Sequence, residues 1–167
     1  MSDVNSFLVF GAKLDALFKC ALLYAEHGLR VWFITTEKFN ELPGNLPLLD
    51  KEWLQLITFL YLKDVSDVLN HLSNIHLWHQ CPQVLIINSF ENYYSDNHSY
   101  NAYMLSMIID AGMACARKHS CHRSYVVVFY NKTVSCNFQH LLDLYIRHVL
   151  KYTNDYELLM RLEKDII

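Results

Sequence analysis

A glycine that closes a short apolar run, with a helical period starting soon after it, is where a phosphate-gripping loop would sit. Ser6-Phe-Leu-Val-Phe-Gly11 reads as a buried strand ending in Gly, and Leu14 to His27 reads as the helix that follows. In such a unit the pattern G-x-x-x-x-G-K-[ST] turns backbone N–H groups toward phosphate, reaches the β and γ phosphates with Lys and holds Mg²⁺ with a hydroxyl. Counted from Gly11, this chain carries Ala16, Leu17 and Phe18 where the pattern has Gly, Lys and Ser/Thr. The frame is there and the reactive groups are not, which points to binding or scaffolding rather than catalysis. Lys13 and Lys19 are spare cations nearby, but neither stands in the Lys slot, and Lys19 lies two residues beyond it.

The rest of a phosphoryl-transfer set is equally thin. Val84-Leu-Ile-Ile87 is followed by Asn88, a neutral amide that binds Mg²⁺ less well than a carboxylate. Glu37, just past the second apolar run, is a possible base for water, and Glu91 is another spare carboxylate; as surface or cap residues they would do no chemistry. No catalytic residue and no nucleotide cofactor are expected. Gly11, Ala16, Leu17, Phe18 and Asn88 are read as vestigial nucleotide-site positions.

Two His/Cys groups have ligand types that suit zinc, His76-x2-His79-x-Cys81 and His119-Ser-Cys121-His122. Neither has a second pair at the spacing of a structural zinc site, so no metal is expected, although ligands assembled across space stay open. Arg117-Lys118-His119-Ser-Cys-His122-Arg123 precedes the fifth apolar run, where cations also complement a helix C-terminus. Lys132, just after that run, is the better-placed phosphate contact. Tyr93, Tyr94, Tyr100 and Tyr103 crowd the segment after the fourth run. They could stack on bases, form a partner surface or simply pack.

The elements that must carry these residues alternate. Strands are expected at Phe7–Phe10, Val31–Ile34, Ile57–Leu62, Val84–Ile87 and Tyr125–Tyr130. Helical periods run from Leu14 to His27, from Val65 to His76 and from Tyr100 to Lys118, with Gly28 and Pro82 as stops. Residues 37–53, with Pro43-Gly44 and Pro47, read as an irregular connection. After the fifth strand come an apolar segment near Leu141–Ile146 and a terminal hairpin of Arg147–Lys151 with Glu157–Leu162. Uncharged strands separated by helices indicate a mainly parallel sheet covered on both faces, hence a three-layer α/β/α domain over residues 1–167.

Composition excludes several classes. With 53% hydrophobic and 19% charged residues the 167-residue chain should fold as one domain. A net charge of −3 creates no global attraction to nucleic acid or anionic membrane, so any DNA contact must be local. The polar start, the absence of a membrane-length apolar stretch and five dispersed cysteines are read as no signal peptide, no membrane span and reduced thiols in cytosol or nucleus.

The order strand, degenerate phosphate loop, helix, Leu29-Arg-Val-Trp-Phe-Ile-Thr-Thr36, Ile57–Leu62, Val84-Leu-Ile-Ile-Asn88-Ser-Phe-Glu91-Asn-Tyr93 and Tyr125–Tyr130 resembles the RecA-like core of the recombinase paralogues. In that family an Asp serving magnesium follows the fourth strand, where this chain has Asn88. The match covers about residues 6–150. It looks closest to the small paralogues of the Shu complex that pair with a SWIM-domain zinc protein, which lack a large N-terminal domain and end soon after the fifth strand. The resemblance implies a P-loop-NTPase-type fold without catalysis and a nuclear subunit in homologous recombination repair. It also implies a heterodimer with the SWIM-domain protein or another paralogue, assistance to recombinase filaments, and weak single-stranded DNA binding through the complex. The alternatives are a slow ATPase of the same family and a silent RecA-fold subunit of an Elongator-type complex.

Overall fold

Val84-Leu-Ile-Ile87 has no polar side chain, so as a strand it needs cover on both faces. The computed structural model, which describes residues 3–44, 46 and 49–167, gives it that cover. Six parallel strands form one sheet: β1 (Asp3–Phe10), β2 (Val31–Thr35), β3 (Ile57–Tyr61), β4 (Val84–Ile87), β5 (Arg123–Tyr130) and β6 (His148–Lys151). Their order is β3-β2-β4-β5-β1-β6. The helices are α1 (Leu14–Glu26), α2 (Lys51–Leu54), α3 (Val65–Ser73), α4 (His98–Lys118), α5 (Cys136–Tyr145) and α6 (Asp155–Ile166).

Alternate side chains of each strand feed two cores. Phe7, Val9, Phe33, Ile86, Val127 and Phe129 pack under α1 and α6. Leu8, Ile34, Leu85, Ile87, Val126 and Val128 pack under α3, α4 and α5. The β1-to-β2 crossover uses the first face. Those from β3 to β4, β4 to β5 and β5 to β6 run the opposite way along the sheet over the second face, as right-handed connections must. The three-layer α/β/α architecture expected from the sequence is the one observed.

α4 lies so close to the sheet that Gly112 is required: a Cβ there would stand 3.0 Å from a Val126 methyl and 3.2 Å from one of Val4. The Ser124 hydroxyl donates to the Gly112 carbonyl at 2.7 Å across this contact. No helix among the described residues is long and apolar enough to cross a membrane.

The C-terminal region corrects the sequence reading. Arg147–Lys151 and Glu157–Leu162 do not form a hairpin. The connection from β5 through α5 passes over β1, and His148–Lys151 pairs in parallel along the outer edge of β1, from Phe7 opposite His148 to Phe10 opposite Lys151. Residues 155–166 form α6, whose Leu158 and Leu162 are buried against α1. The segment at Leu141–Ile146 is mostly the end of α5, anchored by buried Phe138 and Leu142. A parallel edge strand and a helix thus stand where the hairpin was expected. Val65–His76 divides into α3 and a 3₁₀ turn at Ile75–Leu77, and the 37–53 connection contains the short α2. Pro47 of that connection lies outside the described residues.

Ile86 is fully buried at the middle of the sheet, between Phe33 and Val127. Ile86→Asp should abolish soluble folded protein, because the carboxylate would be buried unpaired. Recovery of a soluble variant with native circular dichroism would place β4 outside the core.

Candidate functional site at the carboxyl ends of the strands

β1 sends the chain through α1 toward β2, whereas its neighbour β5 sends it the other way through α5 to β6. Where connections diverge like this, a crevice opens at the carboxyl ends of the strands. Here it is a cleft of about 990 Å³ whose lining includes Gly11, Lys13, Glu37, Asn88 and Asn131. Of the residues set aside from the sequence as vestigial site and possible base, Gly11, Leu17, Asn88 and Glu37 therefore meet in space.

The turn after β1 is short. Gly11 takes φ +76°, and α1 begins at Leu14, leaving only Ala12 and Lys13 between them. The phosphate pattern needs four residues between its glycines. Ala16, Leu17 and Phe18 consequently do not border a phosphate cradle as loop residues. They belong to the helix and are 1%, 1% and 3% exposed. Leu17 forms part of the cleft wall. Phe18 points into an aromatic cluster with Phe33, Phe39 and Phe59 at centroid distances of 5.3, 5.0 and 5.7 Å. The correction has a simple cause: counting from Gly11 assumes a full-length loop, and the helix period starting at Leu14 already signalled a shorter one.

What holds this turn is Asn131, a residue the sequence reading passed over. Its Oδ1 accepts from the Gly11 N–H at 3.0 Å, its Nδ2 donates to the Ala12 carbonyl at 3.4 Å, and its own N–H donates to Glu91 Oε2 at 3.2 Å. One amide thereby clamps the ends of β1 and β5. Glu91 is engaged in the clamp. Asn88 is also occupied: Nδ2 donates to Thr35 Oγ1 at 3.1 Å, and Oδ1 accepts from the Ser89 hydroxyl at 3.0 Å.

The charges that reach the cleft are Lys13, Lys38, Lys63 and Glu37, all exposed. α1 is the one α-helix among the described residues without a side-chain N-cap; the other five are capped by Asp50, Asp64, Asn97, Ser135 and Asn154. Its first-turn N–H groups and the lysines favour anions, while Asp15 in the same turn opposes them. The arrangement can attract an anion from solvent. It offers no buried cation and no hydroxyl in the loop positions that grip phosphate and Mg²⁺.

Lys19 is not a replacement for the loop Lys. Its Nζ lies 2.5 Å from Asp155 Oδ2 on the α6 side of α1. Lys132 is exposed at the carboxyl end of β5, without a salt-bridge partner among the described residues. Arg117–Arg123 lies at the opposite, amino end of the sheet, with Arg123 beside Asp3 across the β5–β1 ladder. Of the tyrosines, Tyr93 is buried and donates to the Leu62 carbonyl at 2.7 Å, and Tyr94 packs edge-on against Phe138. Tyr100 and Tyr103 remain exposed.

The two His/Cys groups converge at the amino end. His119 Nε2 lies 3.1 Å from the Cys81 carbonyl, and His79 and His119 line a cleft with Cys81. Among the described residues no three His, Cys, Asp or Glu side chains are arranged to hold a metal.

No protein-family model matches the chain, and no curated protein matches it either. Twenty-nine solved chains do match in structure. Among them is the crystal structure of the RadB recombinase, with a TM-score of 0.57 and 15% sequence identity, covering 87% of this chain and 73% of that one. The sheet order, the helical layers and this likeness establish a RecA-like fold.

The Lys19–Asp155 contact gives a stability prediction. The Lys19 ammonium, and then the Tyr152 hydroxyl donating at 2.6 Å, hold the Asp155 carboxyl below its ordinary range. The same bond pushes the Tyr152 phenol up to about 12. A depressed carboxylate contributes stability that is complete above its unfolded pKa, near 4, and is lost as pH falls through the folded value. Asp155→Asn should therefore cost about 1 kcal/mol at neutral pH, and the deficit should shrink in acid. Denaturant midpoints measured at both pH values check this; equal midpoints at neutral pH would contradict it.

Proposed function

We propose that this chain is a non-catalytic RecA-like subunit, a paralogue that works in homologous recombination repair by partnering another protein rather than by turning over nucleotide. The observation that carries the reading is the two-residue turn between Gly11 and Leu14, with Leu17 and Phe18 built into the core where a phosphate loop would offer Lys and a hydroxyl. Asn88, already bonded to Thr35 and Ser89, supports the same reading, since a neutral amide is a poor magnesium ligand.

The partner is a SWIM-domain zinc protein or another recombinase paralogue, in a nuclear heterodimer that assists recombinase filaments. Exposed apolar side chains on α5, on α6 and just past the end of α6 support a surface made to be covered: Leu144 is 76% exposed, Tyr156 73% and Ile167 88%. Single-stranded DNA is held weakly by the complex, with Lys132 as this chain's phosphate contact.

A second reading, a slow ATPase, draws on the cleft itself, which keeps its volume and three lysines, Lys13, Lys38 and Lys63. One set of experiments separates the two. Titration calorimetry of the chain with Mg-ATP should give no measurable heat of binding at millimolar nucleotide, and Lys13→Ala or Lys19→Ala should leave function nearly intact. Co-expression with the partner should convert a poorly soluble chain into a stable heterodimer on gel filtration. That complex's DNA affinity should fall with salt, and Lys132→Ala should reduce the salt slope by about one unit. Micromolar Mg-ATP binding would restore the ATPase. A well-behaved monomer that neither needs a partner nor shifts DNA with one would overturn the subunit reading.

A further inference from the structure

The amino end of the sheet holds a feature that the proposed function does not use. Cys81 lies in the segment leading into β4, and Cys115 lies in the last turn of α4. They are 34 positions apart, yet their Sγ atoms stand 3.3 Å from each other. Cys115 is fully buried, and Cys81 is 5% exposed. Cys81 also lines a cleft of about 240 Å³ with Arg30, His79, Gln80, Lys118 and His119. No carboxylate lines that cleft among the described residues, so its charged groups are all cationic or able to become so. The other cysteines lack this setting: Cys20 is buried alone, whereas Cys121 and Cys136 are exposed.

We propose that Cys81 and Cys115 are a redox-active dithiol, with Cys81 the attacking sulfur and Cys115 the resolving one, which a small hydroperoxide oxidises to an intramolecular disulfide. The thiol pair separates the roles. The hydrogen bond between the two thiols, with the Lys118 charge nearby, draws the Cys81 thiol down from its ordinary value, while the same bond and burial push Cys115 up. The thiolate is the reactive form, so Cys81 is the nucleophile and also the sulfur that the cleft reaches.

The Cys81 thiolate attacks one peroxide oxygen, the O–O bond breaks, and the departing oxygen takes up the proton that the Cys81 thiol released, leaving as alcohol or water. Cys81 is then a sulfenic acid. The Cys115 sulfur attacks the Cys81 sulfur, the S–O bond breaks, and hydroxide takes the Cys115 proton to leave as water. Two thiols are oxidised by two electrons, and one peroxide is reduced by two. To bond, the sulfurs must close from 3.3 Å to about 2.05 Å. The product ties the C-terminal turn of α4 to the entry of β4 and closes the intervening segment covalently, which should make the oxidised protein harder to denature.

The test treats the reduced, folded full-length chain, alone or with whatever partner purifies with it, with one equivalent of hydrogen peroxide. Remaining thiols are then alkylated and peptides mapped without reduction. The proposal expects the loss of two free thiols and of the mass of two hydrogens, a linked Cys81–Cys115 peptide, and a higher denaturation midpoint reversed by dithiothreitol. Cys121 and Cys136 should stay alkylatable despite their exposure. Cys115→Ser should trap the Cys81 sulfenic acid for capture by dimedone, and Cys81→Ser should leave Cys115 unreacted. Oxidation falling on Cys121 or Cys136 while the pair stays reduced would overturn the proposal, as would a link that forms only after denaturation. The wild-type map decides between these outcomes even if a serine variant fails to fold.

Discussion

Four phenyl rings fix the start of α1, and most of the molecule follows from that contact. Phe18 stacks on Phe33 of β2, meets Phe39 edge-on and leans against Phe59 at a tilt. Such pairs are worth about 0.5–1.5 kcal/mol each beyond the apolar area they bury. With the second turn of α1 anchored there, the helix begins at Leu14 and the chain has two residues in which to leave β1. The same contact that seats the first crossover helix therefore uses the helix positions from which a phosphate loop would present its lysine and hydroxyl. Packing and phosphate chemistry compete for Leu17 and Phe18, and packing has them.

The carboxyl end of the sheet compensates with polar clamps. Asn131 ties the Gly11 turn to β5, Glu91 caps that clamp, and Asn88 joins β4 to Thr35 of β2. Each amide satisfies backbone or side-chain groups that would otherwise face the cleft unpaired. The amino end is built differently: Arg30, Lys118 and His119 surround a buried thiol pair. The two ends are thus chemically distinct, one a crevice edged by exposed lysines over clamped amides, the other a cationic cleft over an oxidisable thiol pair.

Much of this was legible in the sequence because apolar runs without charge have few alternatives to a covered parallel strand. Phe7–Phe10, Val84–Ile87 and Tyr125–Tyr130 read correctly as inner strands for that reason. β6 was not legible: His148-Val-Leu-Lys alternates in exposure along a sheet edge and resembles a hairpin arm, and only its pairing to β1 identifies it. The site was legible in kind, since Gly11, Asn88 and Glu37 line one cleft and Glu91 accepts from Asn131 beside it. It was misjudged in register, because a fixed count from Gly11 cannot reveal a shortened turn. Asn131 escaped because its role is three long-range hydrogen bonds, which leave no local pattern. The meeting of Cys81 with Cys115 escaped for the same reason, being set by how α4 crosses the sheet.

The competition between packing and phosphate chemistry at the start of α1 can be measured directly by putting the loop's residue types back. In the double variant Leu17→Lys, Phe18→Ser, the account predicts that unfolding free energy falls by at least about 3 kcal/mol, because Phe18→Ser opens a cavity in the core and Leu17→Lys buries an ammonium. It also predicts that calorimetry still detects no Mg-ATP binding, because the turn remains too short to cradle phosphate. A variant as stable as the parent that binds Mg-ATP would contradict it, showing that these positions face a nucleotide site and not the core.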